Sequence, residues 1–381
     1  MTRTEKLLAG LIALPSVNPA FAPPEGASAR QSRHIFGEKN VADFLAATAA
    51  KAGLDIEFQT VFSDRANVIA RLRPKHKIRQ TILLAPHLDT VGADEKMFVP
   101  RIKGGKLHGR GACDTKGSVA AMLSALCDLA NSKARPSETE IIFAGLIDEE
   151  HAQAGSRALA KKISADLAIV GEPTNCKVVT AHKGSLWLTL ETRGRAAHGA
   201  TPSLGKNAVH EMARVVDILE TRYAASLKRR THPLLGSPTV NTGKISGGTQ
   251  PNIVPDTCVI EVDRRTLPGE TEASVKREIN ALLKANSLSA KISSAKIAPA
   301  VALETNPKIP LVQSFLKSVK QPRPFGVQYF CDAAVLAAGG TPSVVFGPGD
   351  IAQAHTADEW ISLAELERAK TLLQHFLGAL P

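Results

Sequence analysis

Four short apolar runs limit the fold more than any other feature of this sequence: Thr81–Ala85 (TILLA), Glu140–Ile147 (EIIFAGLI), Asp166–Val170 (DLAIV) and Pro342–Phe346 (PSVVF). Their apolar residues are consecutive rather than alternating, and polar or glycine residues bound them. A strand covered on both faces of a sheet needs that pattern. Helical patterns lie between the runs, notably at Val41–Ala52 and Ser118–Leu129, and Leu363–Leu377 closes the chain as an amphipathic helix. Alternation of strand and helix predicts an α/β domain whose mixed, mainly parallel sheet is sandwiched by helices.

The middle of the chain reads differently. Ser185–Thr192 (SLWLTLET) and Thr257–Arg264 alternate like half-exposed strands, and each is followed by a helical pattern, at Asn207–Leu219 and Glu272–Ala285. These segments predict a small α+β unit with an antiparallel sheet, inserted into the larger domain. The expected division is 1–179 and 299–381 for the outer domain and 180–298 for the insert, and 381 residues suit two domains. Pro19–Ala29 is expected to be a surface loop.

Residues just beyond each apolar run carry the functional signal. TILLA leads into PHLDT with His87 and Asp89, and EIIFAGLI into Asp148, Glu149, Glu150 and His151. DLAIV leads into Gly171 and Glu172, and PSVVF into a glycine-rich turn and then His355. Ligands of open α/β sheets bind beyond the carboxyl ends of the strands. Taken singly, His87 would be a structural histidine, Glu149 and Glu150 a solvated helix start favoured by the dipole, Glu172 a turn residue and Asp114 part of a flexible glycine loop. Together, after apolar strands, they point to one site.

The spacing supports this. His87 and Asp89 are two apart, so they face the same way in extended backbone, and Asp89 is placed to accept a hydrogen bond from a metal-bound His87 and fix its tautomer. Glu149 and Glu150 are adjacent and point differently, so one can hold metal while the other handles protons. His, Asp and Glu without Cys suit zinc, cobalt or manganese.

Several classes are excluded. The balance of 47 basic against 36 acidic residues gives a net charge of +11, but the cations are spread along the chain with short clusters at Arg71–Lys77 and Lys228–Arg230. With no recognition motif beside them, they read as a solvated basic surface, with no nucleic-acid partner. The five cysteines are widely separated and contain no CxxC pair, which suits a reducing cytoplasm. Leu7–Val17 mimics a signal-peptide core, yet Glu5 and Pro15 interrupt it, and an amphipathic first helix ending before Pro15 is expected. No stretch is long enough to span a membrane. There is no GxSxG elbow, and Gly199–Lys206 has the wrong spacing for a phosphate loop, with Asn207 where Ser or Thr is needed.

The ordered strings PHLDTV, GRGACDTKG, IDEEH, VGEPT, RGRAAHGATP, GGTQPNIVPD, DRRTLPGE and FGPGDIAQAHTADEW run over nearly the whole chain. In them the protein resembles the acetylornithine deacetylase / succinyl-diaminopimelate desuccinylase / carboxypeptidase G family of co-catalytic zinc metallohydrolases. The resemblance implies a zinc-peptidase-like catalytic domain with an inserted ferredoxin-like lid and dimerisation domain. It implies two divalent metal ions, zinc in the first place with cobalt or manganese as options. His87, Asp114 and Glu172 would hold one ion, and Asp114 would bridge to a second held by Glu150 and His355. Glu149 would be the general base, and Asp89 the partner of His87. His198 would stabilise the oxyanion, often in the neighbouring subunit's site, and Asn252 and Arg265 would hold the substrate's carboxylate. Pro86, Thr115, Gly199 and Ala200 depart from the usual residues without removing a ligand, which blurs the subfamily.

The implied reaction is hydrolysis of the amide bond of an N-acyl amino acid or short peptide, by a water that the two metal ions activate and Glu149 deprotonates. ACDTKG, GEPT and AHKGS lean toward acetylornithine deacetylase. The desuccinylase and a carboxypeptidase or dipeptidase are the alternatives, and a catalytically silent binding protein on the same fold is the non-enzyme one. A cytoplasmic homodimer joined through the lid is expected.

Overall fold

The computed structural model describes residues 1–22, 33–295 and 300–381. Most of the loop expected at Pro19–Ala29, and the expected boundary at 298/299, lie outside them. The chain divides into two compact units, one comprising Met1–Thr180, Thr305–Phe325 and Cys331–Pro381, the other Ala181–Glu304 and Gly326–Phe330.

The first unit opens with helix α1 (Arg3–Ile12), started by a capping box between Thr2 and Glu5. Its Leu7, Leu8, Leu11 and Ile12 are buried, so the signal-like run is a core-facing helical stripe. Helix α2 (Lys39–Lys51) precedes a hairpin of β1 (Asp55–Phe62) and β2 (Arg65–Leu72), and then come β3 (Gln80–Pro86), β4 (Arg101–Lys103) and β5 (Lys106–His108). Helix α3 (Lys116–Ala130) is buried along nearly its whole length. At its start the Lys116 ammonium donates to the carbonyls of Leu11 and Leu14, at 2.9 and 2.8 Å, which satisfies the end of α1. Strand β6 (Thr139–Gly145), helix α4 (Ala154–Ala160), β7 (Leu167–Gly171) and β8 (Val179–His182) complete this stretch.

The second unit contains β9 (Gly184–Arg193), α5 (Ala208–Ile218), α6 (Ala224–Leu227), β10 (Thr239–Gly247), β11 (Thr257–Thr266), α7 (Glu272–Ala285), β12 (Lys291–Ser294) and β13 (Leu303–Glu304). Its four-stranded sheet has the order β10-β11-β9-β12 and every pairing is antiparallel. With α5 between β9 and β10 and α7 between β11 and β12, this is the βαββαβ ferredoxin-like arrangement. Met212 and Val215 of α5 and Val275 and Ile279 of α7 pack with Leu188, Leu190 and Ile260 of the sheet. Alternation of buried and open positions along β9 and β11 produced the period-two signal. Strand β10 is largely exposed and carries no such signal, so sequence reading passed over it.

The chain returns through α8 (Pro310–Ser318), β14 (Phe325–Val327), α9 (Ala333–Ala338), β15 (Ser343–Val345), β16 (Trp360–Ser362) and α10 (Leu363–Gly378). The main sheet runs β1-β2-β6-β3-β7-β15-β8. The four apolar runs are β6, β3, β7 and β15, which lie side by side and mutually parallel at its centre. The outer pairings are antiparallel. A mixed sheet with a parallel centre, packed against helices, is therefore the architecture. The β1–β2 hairpin, half exposed on its outer strand, escaped the search for continuous apolar runs. Among the described residues no helix is long and apolar enough to cross a membrane.

Candidate metal centre

The register of the central strands builds the site. Pro86 of β3 is opposite Gly171 of β7, so His87 and Glu172 leave adjacent strands at the same level. His87 also bridges Leu146 on the other side, which brings Asp148, Glu149 and Glu150 to that edge. The fit is close: a Cβ on Gly171 would meet Pro86 Cβ and Ser118 Cβ at 2.8 Å, and one on Gly347, after β15, would meet the Glu172 carbonyl at 2.5 Å. The Thr115 hydroxyl donates to the Gly171 carbonyl at 2.7 Å, so the start of α3 brings Asp114 to the same place.

Two ligand groups result, His87–Asp114–Glu172 and Asp114–Glu150–His355, and Asp114 belongs to both. His87 Nε2 is 3.2 Å from Asp114 Oδ1 and 3.8 Å from Glu172 Oε1. His355 Nε2 is 3.3 Å from Asp114 Oδ2 and 3.2 Å from Glu150 Oε2. His355, with φ of 61°, and Asp148, with φ of 68°, both hold left-handed backbone that ordinary side chains seldom adopt. Strain of this kind collects at functional sites.

The electrostatics show what the cluster lacks. Asp114, Glu149 and Glu172 are buried and Glu150 nearly so. Among the described residues the basic side chains paired with this set are His87 and His355, with no Lys or Arg. Burial pushes the Glu149 and Glu172 carboxyls well above their ordinary values, and neighbouring carboxylates add to it. For Asp114 burial acts the same way but is overcome by hydrogen bonds with His355 and His87, which hold it low. Asp114 and Glu150 raise His355 to about 10. Buried like charges are costly without a compensating cation, so a His and carboxylate donor set of this excess fits divalent metal ions.

Both the backbone carbonyl and the carboxylate of Asp89 face the His87 ring. His87 Nδ1 is 3.0 Å from the Asp89 backbone carbonyl and 3.5 Å from its carboxylate. The Asp89 carboxylate is occupied by the amides of Glu149 and Glu150, both at 3.1 Å, and by the Asn18 side chain at 2.7 Å. The backbone carbonyl thus takes the nearer hydrogen bond to the ring, and the carboxylate organises the turn that carries Glu149 and Glu150.

His198, Asn252 and Arg265 lie in the second unit. His198 and Asn252 are exposed on facing loop segments, joined by the Gly199 amide donating to the Asn252 carbonyl at 2.7 Å. Arg265 is half-buried, donates to Asp263 at 2.9 Å and lies over the Phe330 ring.

Sequence reasoning missed several buried partners. Asn18 donates to Asp148 as well as Asp89, and Arg65 joins Asp148 to Glu38. Asp332 accepts from Ser156 at 2.5 Å and Gln153 at 3.2 Å, and burial pushes its carboxyl up to about 6. These residues come from distant segments of unremarkable pattern. Glu359 had a signal, its place in HTADEW four residues after His355.

A model of Peptidase family M20/M25/M40 matches residues 83–379. The acetylornithine deacetylase of Proteus mirabilis is 31% identical over 386 residues, covering 95% of this chain and 93% of that one. Among solved structures, aminopeptidase PepT of Bacillus cereus superposes with a TM-score of 0.77 at 22% identity, covering 99% and 97% of the two chains. An M20 family metallo-carboxypeptidase of Sulfolobus solfataricus has a TM-score of 0.75 at 18% identity, covering 99% of each. Both share the fold.

Proposed function

Since the chain belongs to peptidase family M20/M25/M40 and is a hydrolytic enzyme, we propose that it uses two divalent metal ions to cleave the amide bond of an N-acyl amino acid, as an acetylornithine deacetylase does. The observation that carries this reading is Asp114, whose two oxygens face two separate His–carboxylate groups. His87 and Glu172 complete one ion's set with Asp114, and Glu150 and His355 the other's. Zinc suits these donors best, with cobalt and manganese as substitutes. Ions bound there would supply a water activated near neutral pH and a Lewis acid for the scissile carbonyl.

Glu149, buried beside His87 and Glu172, has no ion-pair partner among the described residues, and its task is to take the proton from that water and hand it to the leaving amine. Asp89 holds the turn that aims it. His198 stabilises the developing oxyanion, and Asn252 and Arg265 hold the substrate carboxylate. The 31% likeness to an acetylornithine deacetylase over nearly the whole chain supports the acyl amino acid. Peptides, or a succinylated amino acid, are the second reading, favoured by the aminopeptidase and carboxypeptidase among the structural neighbours. A homodimer through the second unit fits the exposed edge strand β10, and five free, buried cysteines suit the cytoplasm.

The test is a panel of N-acetyl and N-succinyl amino acids and dipeptides, assayed on chelator-stripped protein with zinc, cobalt or manganese added back. Recovery of N-acetylornithine hydrolysis on metal addition is expected. Full activity after complete chelation would overturn the metal reading. Turnover of dipeptides alone would move the substrate to the peptidase class.

A further inference from the structure

We infer that Glu359 is a positioning residue that fixes the bridging Asp114 against His355, and so sets the second of the two proposed metal sites. The inference rests on the metal-centre reading above and names a residue outside its ligand set.

Glu359 is 1% exposed, and both of its carboxylate oxygens are taken by one loop. Oε1 accepts from the amides of Cys113 and Asp114, at 2.8 and 2.9 Å. Oε2 accepts from the Gly111 amide at 2.9 Å and from the Arg110 guanidinium at 2.8 Å. Its backbone carbonyl also receives the Gly109 amide at 3.0 Å. Of the remaining amides between Gly109 and Asp114, that of Arg110 donates to Met97 and that of Ala112 to Gly109. One glutamate therefore satisfies four of the six amides of this segment and its arginine. Convergent backbone N–H groups form an anion-binding concavity, and here the protein fills it with its own carboxylate.

The consequence is geometric. Glu359 lies four residues after His355 and binds the backbone nitrogen of Asp114 directly. Next to it, Trp360 pairs with His108 in a three-stranded sheet, β16-β5-β4, which ties the two segments further. His355 and Asp114 are 241 positions apart in sequence, yet their nitrogen and oxygen sit 3.3 Å apart. Glu150 and His87 reach the site from other strands, so the Glu359 carboxylate acts chiefly on the Asp114–His355 distance.

The experiment titrates zinc into chelator-stripped wild type and Glu359→Gln by calorimetry, with melting of the metal-free and zinc-saturated proteins alongside. Gln keeps the size but turns an NH2 toward N–H donors, so the loop must shift. Wild type should bind two ions. The variant should bind the weaker one roughly 10- to 100-fold less tightly, lose part of the zinc-induced rise in melting temperature, and show a lower kcat with little change in KM. Two ions bound at wild-type affinity by a folded variant would overturn the inference. Wild type that binds no zinc would instead overturn the metal-centre reading. If Glu359→Gln does not fold, Glu359→Asp keeps the charge but withdraws it. The same selective loss of the weaker ion is then expected, and unchanged affinities would refute the role.

Discussion

The side-chain amide of Asn18 donates to Asp89 Oδ2 at 2.7 Å, joining residues 71 positions apart. The same nitrogen donates to Asp148 Oδ1 at 3.0 Å, and Asn18 Oδ1 accepts from the Ala20 amide at 3.0 Å. Asn18 is completely buried, so one neutral amide separates two buried carboxylates beside the metal centre. Asn18→Leu should cost about 3 kcal/mol, the worth of two hydrogen bonds to charged groups with their acceptors left buried. Asn18→Asp should be worse at neutral pH, because it adds a third carboxylate. Urea unfolding reads both variants. A leucine variant as stable as wild type would show that Asp89 and Asp148 do not depend on this amide, and an aspartate variant no worse than the leucine one would show that the added charge is not felt there.

Glu149 tests the proton-transfer step. Glu149→Gln keeps the shape and the backbone bond to Asp89 but cannot take a proton. Turnover should fall by about 10²- to 10⁴-fold while metal content by elemental analysis stays at the wild-type value. A loss smaller than about tenfold with metal retained would remove Glu149 from that role.

His182, the last residue of β8, is buried; its Nδ1 is 2.8 Å from the Lys183 carbonyl, and its Nε2 has no hydrogen-bond partner among the described residues. Burial pushes this imidazole down from 6.5 to about 4. The unfolded chain therefore takes up a proton below about pH 6.5 that the folded chain refuses until about pH 4. Stability from this group is present above pH 6.5 and is lost as pH falls, by about 3 kcal/mol at pH 4. His182→Leu should flatten the acid side of the stability–pH curve. Parallel curves for variant and wild type would mean that His182 charges in the native state.

Arg264 is fully buried and holds the turn that follows β11. It donates to Glu270 at 2.7 Å, to the Tyr223 hydroxyl at 3.2 Å, and to the backbone carbonyl of Arg265. Glu270 in turn accepts the Leu267 amide at 2.8 Å. Arg264→Met should cost about 3 kcal/mol, the lower range for breaking a buried ion pair. In the substrate assay it should raise KM more than it lowers kcat, through a displaced Arg265. A variant that melts like wild type would show that Glu270 is served by Arg230 alone, whose guanidinium also donates to it at 2.7 Å.

How much was legible depends on how each feature is encoded. The central strands β3, β6, β7 and β15 were readable because burial on both faces leaves mostly consecutive apolar positions, with polar residues near the ends of the run. The antiparallel insert was readable where one face is buried and the other open, as at Trp187 between Leu186 and Leu188. Strands β10 and β1 were not, because their outward positions carry no regular contrast, and the buried apolar stretch of β2 is only Val68–Ala70. His87, Asp114, Glu149, Glu150, Glu172 and His355 could be named as candidates because each belongs to a distinctive local string. Asn18, Arg65 and Asp332 could not, since an ordinary polar residue in a loop or at the end of an element announces nothing until its partner arrives.

Sequence alone thus determined which strand ends would carry the titratable side chains, because hydrophobic runs and the residues just after them are local properties of the chain. Only the tertiary structure decided which oxygen faces which nitrogen. Register across β6, β3 and β7 set His87 beside Glu172, and long-range bonds from Asn18 and Glu359 set the turns that carry Asp89 and Asp114. A shift of one residue in register would turn every side chain of a strand to the opposite face. The types of ligand are therefore written along the chain, while their convergence depends on pairings between segments that no short stretch of sequence contains.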